Sequence, residues 1–288
     1  MPGGQQVQPA RSVNERRWSI VQQVQERQRV SVNELSQQFD VSKVLIRRDL
    51  EHLQQAGLLR RVHGGAETIA SSGQLSVFEV RLLRNTEIKR ALGRAAADLI
   101  HPGDVVFLDS GTTVLEVARQ LPRLLTDWAP LTAVTRSLMI AAELRTQRRI
   151  RLIVVGGVYQ HDFDDFVGSQ VEQALQEIHV ETLFIGTDGV SLERGLTTDN
   201  VREAGLYRAM ARCAERVVVV TDSSKIGADK VQTTLAFSDI HTFVTDGDAP
   251  PDFITALREL GCEVLVVARP KEERLRHLRE TQADPHSA

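Results

Sequence analysis

The sequence predicts an α/β protein in two parts: an N-terminal winged helix-turn-helix over residues 12–67 and a C-terminal, mostly parallel α/β domain over 87–268. Three observations predict it. Capping signatures and helical periodicity follow one another closely in the head. Continuous β-branched runs alternate with amphipathic segments in the body. Most of those runs then give way to polar, glycine-bearing stretches. Residues 68–86 contain Ser71-Ser72-Gly73 and no sustained periodicity, which reads as a linker, and the charged tail over 269–288 reads as frayed or as a solvated helix.

In the head, Ser12-Val13-Asn14-Glu15 and Ser31-Val32-Asn33-Glu34 both fit the capping box, in which a Ser hydroxyl and a Glu three residues on satisfy each other's free backbone amides. The first precedes Trp18, Ile20, Val21 and Val24, and the second precedes Leu35 and Phe39. Ser42 is a third N-cap, followed by Ile46, Leu50 and Leu53 at helical spacing, with Gly57 as the stop. Only Asp40-Val41 separates the second helix from the third, the tight junction of a helix-turn-helix. If Ile46, Leu50 and Leu53 face inward, then Ser42, Lys43, Val44, Leu45, Arg47 and Arg48 lie at or beside the outer face at the start of the third helix, the part that meets base edges and phosphates. Leu58–Ala66 reads as a hairpin wing turning at Gly64-Gly65, with Arg60, Arg61 and His63 placed to reach a flanking backbone. A small protein-interaction module with a solvated basic face would share this spacing.

Charge is uneven. The chain carries −3 overall, but residues 1–66 hold ten Lys/Arg against six Asp/Glu, a surplus of four, which leaves −7 on the remainder. A basic head on an acidic body restricts any polyanion to the head. Two cysteines, Cys213 and Cys262, make no disulfide framework, and no Cys/His pair has zinc spacing. No apolar run reaches the ~20 residues a membrane span needs, and the polar Met1–Arg17 does not read as a signal peptide, so a cytoplasmic protein is expected. P-loop, dinucleotide and hydrolase-elbow motifs are absent from the sequence.

In the body, strands are expected at 105–108, 131–134, 150–155, 182–185, 217–220, 242–244 and 264–267. Helices are expected at 89–99, 114–121, 138–145, 167–177, 202–213 and 252–260. Ligands of open α/β sheets bind beyond the carboxyl ends of the strands. The segments found there are Asp109-Ser110-Gly111-Thr112-Thr113, Thr135-Arg136-Ser137, Gly156-Gly157, Gly186-Thr187-Asp188-Gly189, Asp222-Ser223-Ser224-Lys225 and Thr245-Asp246-Gly247. Gly111 permits close approach of a ligand, Thr112 and Thr113 open a helix whose amides favour an anion, and Lys225 supplies a countercharge. Asp109, Asp188 and Glu203 suit sugar hydroxyls, and Asn200 falls within the same set. The ligand expected is small, hydroxylated and anionic. His161-Asp162-Phe163-Asp164-Asp165 reads as an acidic loop and not a cation site.

Val41-Ser42-(x2)-Leu45-Ile46-Arg47-Arg48-Asp49-Leu50 with Gly57–Ala66 resembles the head of the DeoR family of bacterial transcriptional regulators. Asp109–Thr113, Gly156-Gly157, Gly186–Gly189, Gly195–Thr198, Glu203-Ala204 and Asp222–Lys225 resemble its sensor domain in sequence order. That domain is similar to ribose-phosphate isomerases and typically senses a phosphorylated sugar. The stretch Leu192–Gly195 with Asp222–Lys225 is most similar to the amino-sugar and galactitol branch. Two departures stand out: Leu45 where the family usually has Thr, and Arg136 where it commonly has Asn. Arg136 reads either as a cation for a second anionic group on the ligand or as a surface residue.

The resemblance implies a DNA-binding transcriptional regulator, a repressor of carbohydrate-metabolism genes, whose grip on double-stranded operator DNA is controlled by a phosphorylated sugar or amino sugar. It implies a homo-oligomer with no catalytic residue, cofactor, metal or membrane partner. The alternative is a sugar-phosphate isomerase with an accessory head, in which Asp109, Glu203 and Lys225 supply acid/base chemistry. A protein-interaction adaptor is the third reading, and it predicts no salt-dependent DNA affinity.

Overall fold

A computed structural model describes residues 13–55, 58–68, 76–101, 103–125, 130–200 and 203–268. The chain divides into two compact units, Met1–Thr86 and Glu87–Ala288. Ser12, the Trp18 side chain, Gly57 and the tail fall outside the described residues.

The first unit runs α1 (Val13–Arg27), β1 (Arg29–Ser31), α2 (Val32–Gln38), α3 (Lys43–Gln55), β2 (Arg60–Val62), β3 (Gly65–Glu67) and α4 (Val77–Leu83). Ser31 and Glu34 form the expected reciprocal cap on α2, with Ser31 Oγ accepting from Glu34 N at 3.1 Å and Glu34 Oε2 accepting from Ser31 N at 3.0 Å. Asp40 takes a left-handed backbone (φ 49°), which lets the chain reverse within two residues into α3. Ile46, Leu50 and Leu53 are buried with Ile20, Val21, Val24 and Leu35 in one core. A second tie joins α3 to α1: the buried carboxylate of Asp49 accepts from Arg16 Nε at 2.7 Å and from Arg17 Nε at 2.8 Å. Two of the head's cations are therefore committed inside the fold.

The wing is three-stranded, in antiparallel order β1-β3-β2. Strand β1 was not expected, because three residues between two helices carry no readable alternation. Gly65 explains why a residue without Cβ sits in β3: an added Cβ would lie 2.0 Å from the carbonyl oxygen of Val30. Reading 68–86 as linker is corrected at its C-terminal end. Ser76 and Glu79 form a full capping box on α4, and Leu83 joins the core of the head.

The second unit opens with α5 (Thr86–Ala97), β4 (Val105–Leu108), α6 (Thr112–Ala118), α7 (Leu121–Leu124), β5 (Leu131–Thr135) and α8 (Leu138–Leu144). There follow β6 (Ile150–Val154), β7 (Val158–Gln160), β8 (Asp165–Val167), α9 (Ser169–Leu175) and β9 (Val180–Ile185). It continues with β10 (Gly189–Ser191), β11 (Gly195–Thr198), α10 (Ala204–Arg212) and β12 (Ala214–Val220). Last come β13 (Gln232–Thr233), β14 (Thr242–Asp246), α11 (Pro251–Glu259) and β15 (Glu263–Val267). All seven predicted runs form one parallel sheet, ordered β15-β14-β12-β9-β4-β5-β6. Consecutive residues such as Val106, Phe107 and Leu108, or Val218, Val219 and Val220, are all fully buried, so helices cover both faces of the central strands.

Strand order reverses between β4 and β9, since β5 and β6 extend the sheet one way and β12, β14 and β15 the other. A crevice at the carboxyl ends of β4 and β9 is the place such sheets offer a ligand. Two additions border these strand ends, the β7–β8 hairpin after β6 and the small β10-β11-β13 sheet after β9. Neither was expected, because their strands are only two to four residues long.

Candidate functional sites

On the head, Ser42, Lys43, Val44, Arg47 and Arg48 are exposed along the outer face of α3, while Leu45 is half-buried. Ser42 Oγ accepts from Leu45 N at 3.3 Å, so this hydroxyl caps the helix and keeps its proton available to a second acceptor. The wing presents Arg61 and His63 to solvent, and both line a cleft of about 310 Å³ together with Arg47 and Gly64. Arg60 is exposed as well but is paired across the wing with Glu67, which offsets part of its charge. Two guanidinium groups and an imidazole around one cleft, with a lysine and a third guanidinium on the first turns of the helix, form a surface suited to a phosphate backbone.

The strand ends of the body carry a different chemistry. Arg136, directly after β5, has no exposed surface. Its Nε donates to Asp109 Oδ1 at 2.6 Å and its Nη1 to Asp165 Oδ2 at 2.6 Å and Phe166 O at 3.4 Å. Its Nη2 donates to Ser110 Oγ at 3.1 Å and Glu203 Oε1 at 3.4 Å. An arginine has five N–H groups, and here all five are used. Both readings of Arg136 from the sequence are corrected on that ground: it is neither on the surface nor free to bind an anionic group of a ligand. It ties the loop after β4 to β8 and to the start of α10.

Burial shapes the charges of this cluster. Desolvation alone would disfavour the guanidinium, but Asp109, Asp165 and Glu203 outweigh it and hold Arg136 firmly protonated. Burial pushes Glu203 up to about 8 against the pull of Arg136, helped by its hydrogen bond to Asp165 and the nearby charge of Asp109. Burial likewise raises Asp109 against Arg136. Two carboxylate oxygens, Asp109 Oδ2 and Asp165 Oδ1, are buried and accept no hydrogen bond from the protein among the described residues.

Other predicted residues divide by role. Ser137 is buried; its Oγ accepts from Ile140 N at 3.2 Å to cap α8 and donates to Asp164 Oδ2 at 3.1 Å, so its part is to start a helix rather than to meet a ligand. Gly157 is likewise reassigned to packing, since a Cβ there would lie 2.6 Å from the carbonyl oxygen of Val167 in the hairpin. Gly156 and Gly111 face open space, and Gly111 (φ 116°) begins α6 with no side chain capping the helix amides. Thr112 is buried and Thr113 half-buried behind it. Asp188 accepts from Thr198 Oγ1 at 2.9 Å, the same hydroxyl accepts from Asn200 N at 3.0 Å, and Asn200 Nδ2 donates to Gln160 Oε1 at 3.4 Å. Lys225 is half-buried in the turn after β12.

The acidic stretch 161–165 makes the turn of the β7–β8 hairpin, and its last two carboxylates are drawn inward. Asp164 accepts from Ser137 Oγ, from Met139 N at 2.8 Å and from the Tyr159 hydroxyl at 3.0 Å, and Asp165 belongs to the arginine cluster, both carboxylates being buried. The sequence carried no local sign of this, because Asp165 meets Arg136 across 29 positions.

Comparison with known proteins matches these two regions separately. The family described as DeoR-like helix-turn-helix domain matches residues 16–72, and the DeoR C terminal sensor domain matches residues 84–247. A protein of Escherichia coli O157:H7, named as a transcriptional repressor of the aga operon, is 39% identical over 257 residues, covering 88% of this chain and 94% of its own length. The HTH-type transcriptional regulator GlpR of Haloferax volcanii is 34% identical over 251 residues, 87% of this chain and 96% of its own length. Among solved structures, the ribose 5-phosphate isomerase A of Methanocaldococcus jannaschii overlaps 49% of this chain and 55% of its own at 20% identity, with a TM-score of 0.37.

Proposed function

The chain belongs to the DeoR family of transcriptional regulators, and from that premise we propose how its two units divide the work. It is a DNA-binding transcriptional regulator of the kind that represses sugar operons. The face formed by Ser42, Lys43, Val44, Arg47, Arg48, Arg61 and His63 takes the operator. A phosphorylated sugar takes the crevice at the β4/β9 reversal and weakens the hold on DNA.

One observation carries the second half of this reading. At the reversal of strand order, the open backbone of Gly111 and the uncapped amides of α6 lie beside Asp109, whose Oδ2 is buried and without a protein partner. Amides at a helix start favour phosphate, and a desolvated carboxylate oxygen favours a hydroxyl donor. Thr112, Thr113 and Lys225 complete the anion side, and Asp188 and Asn200 the hydroxyl side. Arg136 and Glu203 hold the loops in register without touching the ligand.

Regulation rather than catalysis is supported by the carboxylates themselves. Asp109 and Glu203 are both engaged by Arg136, so neither stands free as a general base. One short recognition helix covers few base pairs, which supports a homo-oligomer that binds paired half-sites. No helix among the described residues is long and apolar enough to cross a membrane.

The test is a DNA-binding titration with added sugar phosphates. Release of operator by one sugar phosphate, lost in Lys225→Ala with DNA affinity retained, supports the reading. Loss of DNA binding in a folded Lys225→Ala protein would overturn the division of labour. Turnover of a sugar phosphate abolished by Glu203→Ala would favour the enzyme.

A further inference from the structure

Apolar side chains of the head are largely withdrawn from water, and Val44 is the clearest exception. At 58% exposure it stands further into solvent than any other large hydrophobic residue described in the head. It is the second residue of α3, flanked by exposed Ser42 and Lys43 and one turn ahead of Arg47 and Arg48. The fold does not ask for valine there. Its β-branch is stiff and slightly unfavourable in a helix, and its surface gains nothing from the core. Beside it Leu45 is half-buried, so the tip of the helix carries two adjacent apolar side chains.

The charges around Val44 sort themselves into two groups. Arg47 lines the cleft shared with Arg61 and His63 of the wing, a place for a phosphate. Arg48 stays on the open side of the helix, and Glu51, exposed one turn further on, repels the DNA backbone and confines close contact to the first two turns. With the cations on either side of it taken up by phosphates, Val44 is the exposed side chain of this turn that is left for a base edge. In the major groove the groups there are hydrogen-bond donors and acceptors, except for one apolar group, the C5-methyl of thymine.

We propose that Val44 reads a thymine methyl in each operator half-site and is a specificity-determining residue. The proposal rests on the assignment of this face to DNA and goes beyond it by naming the base and the atom recognised.

The experiment uses the full-length protein and a randomised duplex library. Enriched duplexes are resynthesised with deoxyuridine, which lacks only the methyl, replacing each thymidine in turn. At one position per half-site the wild type is expected to lose about three- to tenfold in affinity, the scale of one or two buried methyl-sized groups. Val44→Ala is expected to bind the thymidine and deoxyuridine duplexes equally. The proposal is overturned if no replacement weakens the wild type by as much as about twofold, or if Val44→Ala keeps the full difference. Failure of the wild type to enrich any sequence would instead sink the DNA assignment, and the proposal with it.

Discussion

Arg136 Nε donates to Asp109 Oδ1 at 2.6 Å, and neither side chain retains any exposed surface. Removing the cation strands Asp109, Asp165 and Glu203 together in a dry interior. Arg136→Met is expected to destabilise the second unit by about 3–5 kcal/mol, the range for breaking a buried ion pair from one side. Urea unfolding followed through that unit measures it, and a loss below about 1 kcal/mol would mean the cluster is solvated.

Glu203 gives the same cluster a pH dependence. Its carboxyl is held up to about 8, above its ordinary 4.5, so between those values the folded chain keeps a proton that the unfolded chain has released. Stability therefore falls as pH rises from about 4.5 to about 8, and Asp109, also raised, adds to the slope from its lower end. Arg136, Asp165, Asp109 and Tyr207 are the charged and titratable groups with which Glu203 interacts. Melting temperatures across this range should decline more steeply for the wild type than for Glu203→Gln. Parallel curves would show that Glu203 titrates normally.

Asp49 is the corresponding point in the head. Its carboxylate is the shared counter-ion of Arg16 and Arg17 and joins α1 to α3. Asp49→Ala leaves the buried Arg16 without a counter-ion and is expected to cost about 3 kcal/mol or more in head stability. DNA affinity should drop sharply while sugar-phosphate binding, followed calorimetrically, is unchanged. Equal loss of both functions would contradict two independently folded units.

Arg47 offers a measurement of another kind. As a phosphate ligand in the cleft between α3 and the wing, its replacement by alanine should weaken binding on all sequences alike. The slope of log affinity against log salt should become shallower by about 1. Unchanged slope with relaxed base preference would move Arg47 from the backbone to a base edge.

Residues with a local reason for their conformation were legible in the sequence. Ser31 and Glu34 announce α2, the β-branched runs announce every strand of the parallel sheet, and Gly111 marks the turn into α6. Ser76 and Glu79 carried the same capping signature as Ser31 and Glu34, and the serine-rich stretch before them obscured α4. Arg136 was legible as an oddity but not as a hub. Its partners come from the loop after β4, from β8 and from the start of α10, and no periodicity within one segment reports a meeting of three. The partners of Asp164 and Asp165 were hidden for the converse reason: five polar or aromatic residues in a row read as a loop, and only the hairpin turns two of them inward.

The saturation of Arg136 bears on how this protein can change over time. Because each of its five N–H groups has its own acceptor, exchange of residue 136, 109, 165 or 203 alone leaves a buried charge or an unused donor behind. A lineage leaving this arrangement would have to alter a carboxylate and the arginine nearly together. The four positions are thus expected to drift as a block, slowly, while the solvent-facing recognition helix next in rank, with Val44 at its tip, stays free to take up new operators one substitution at a time.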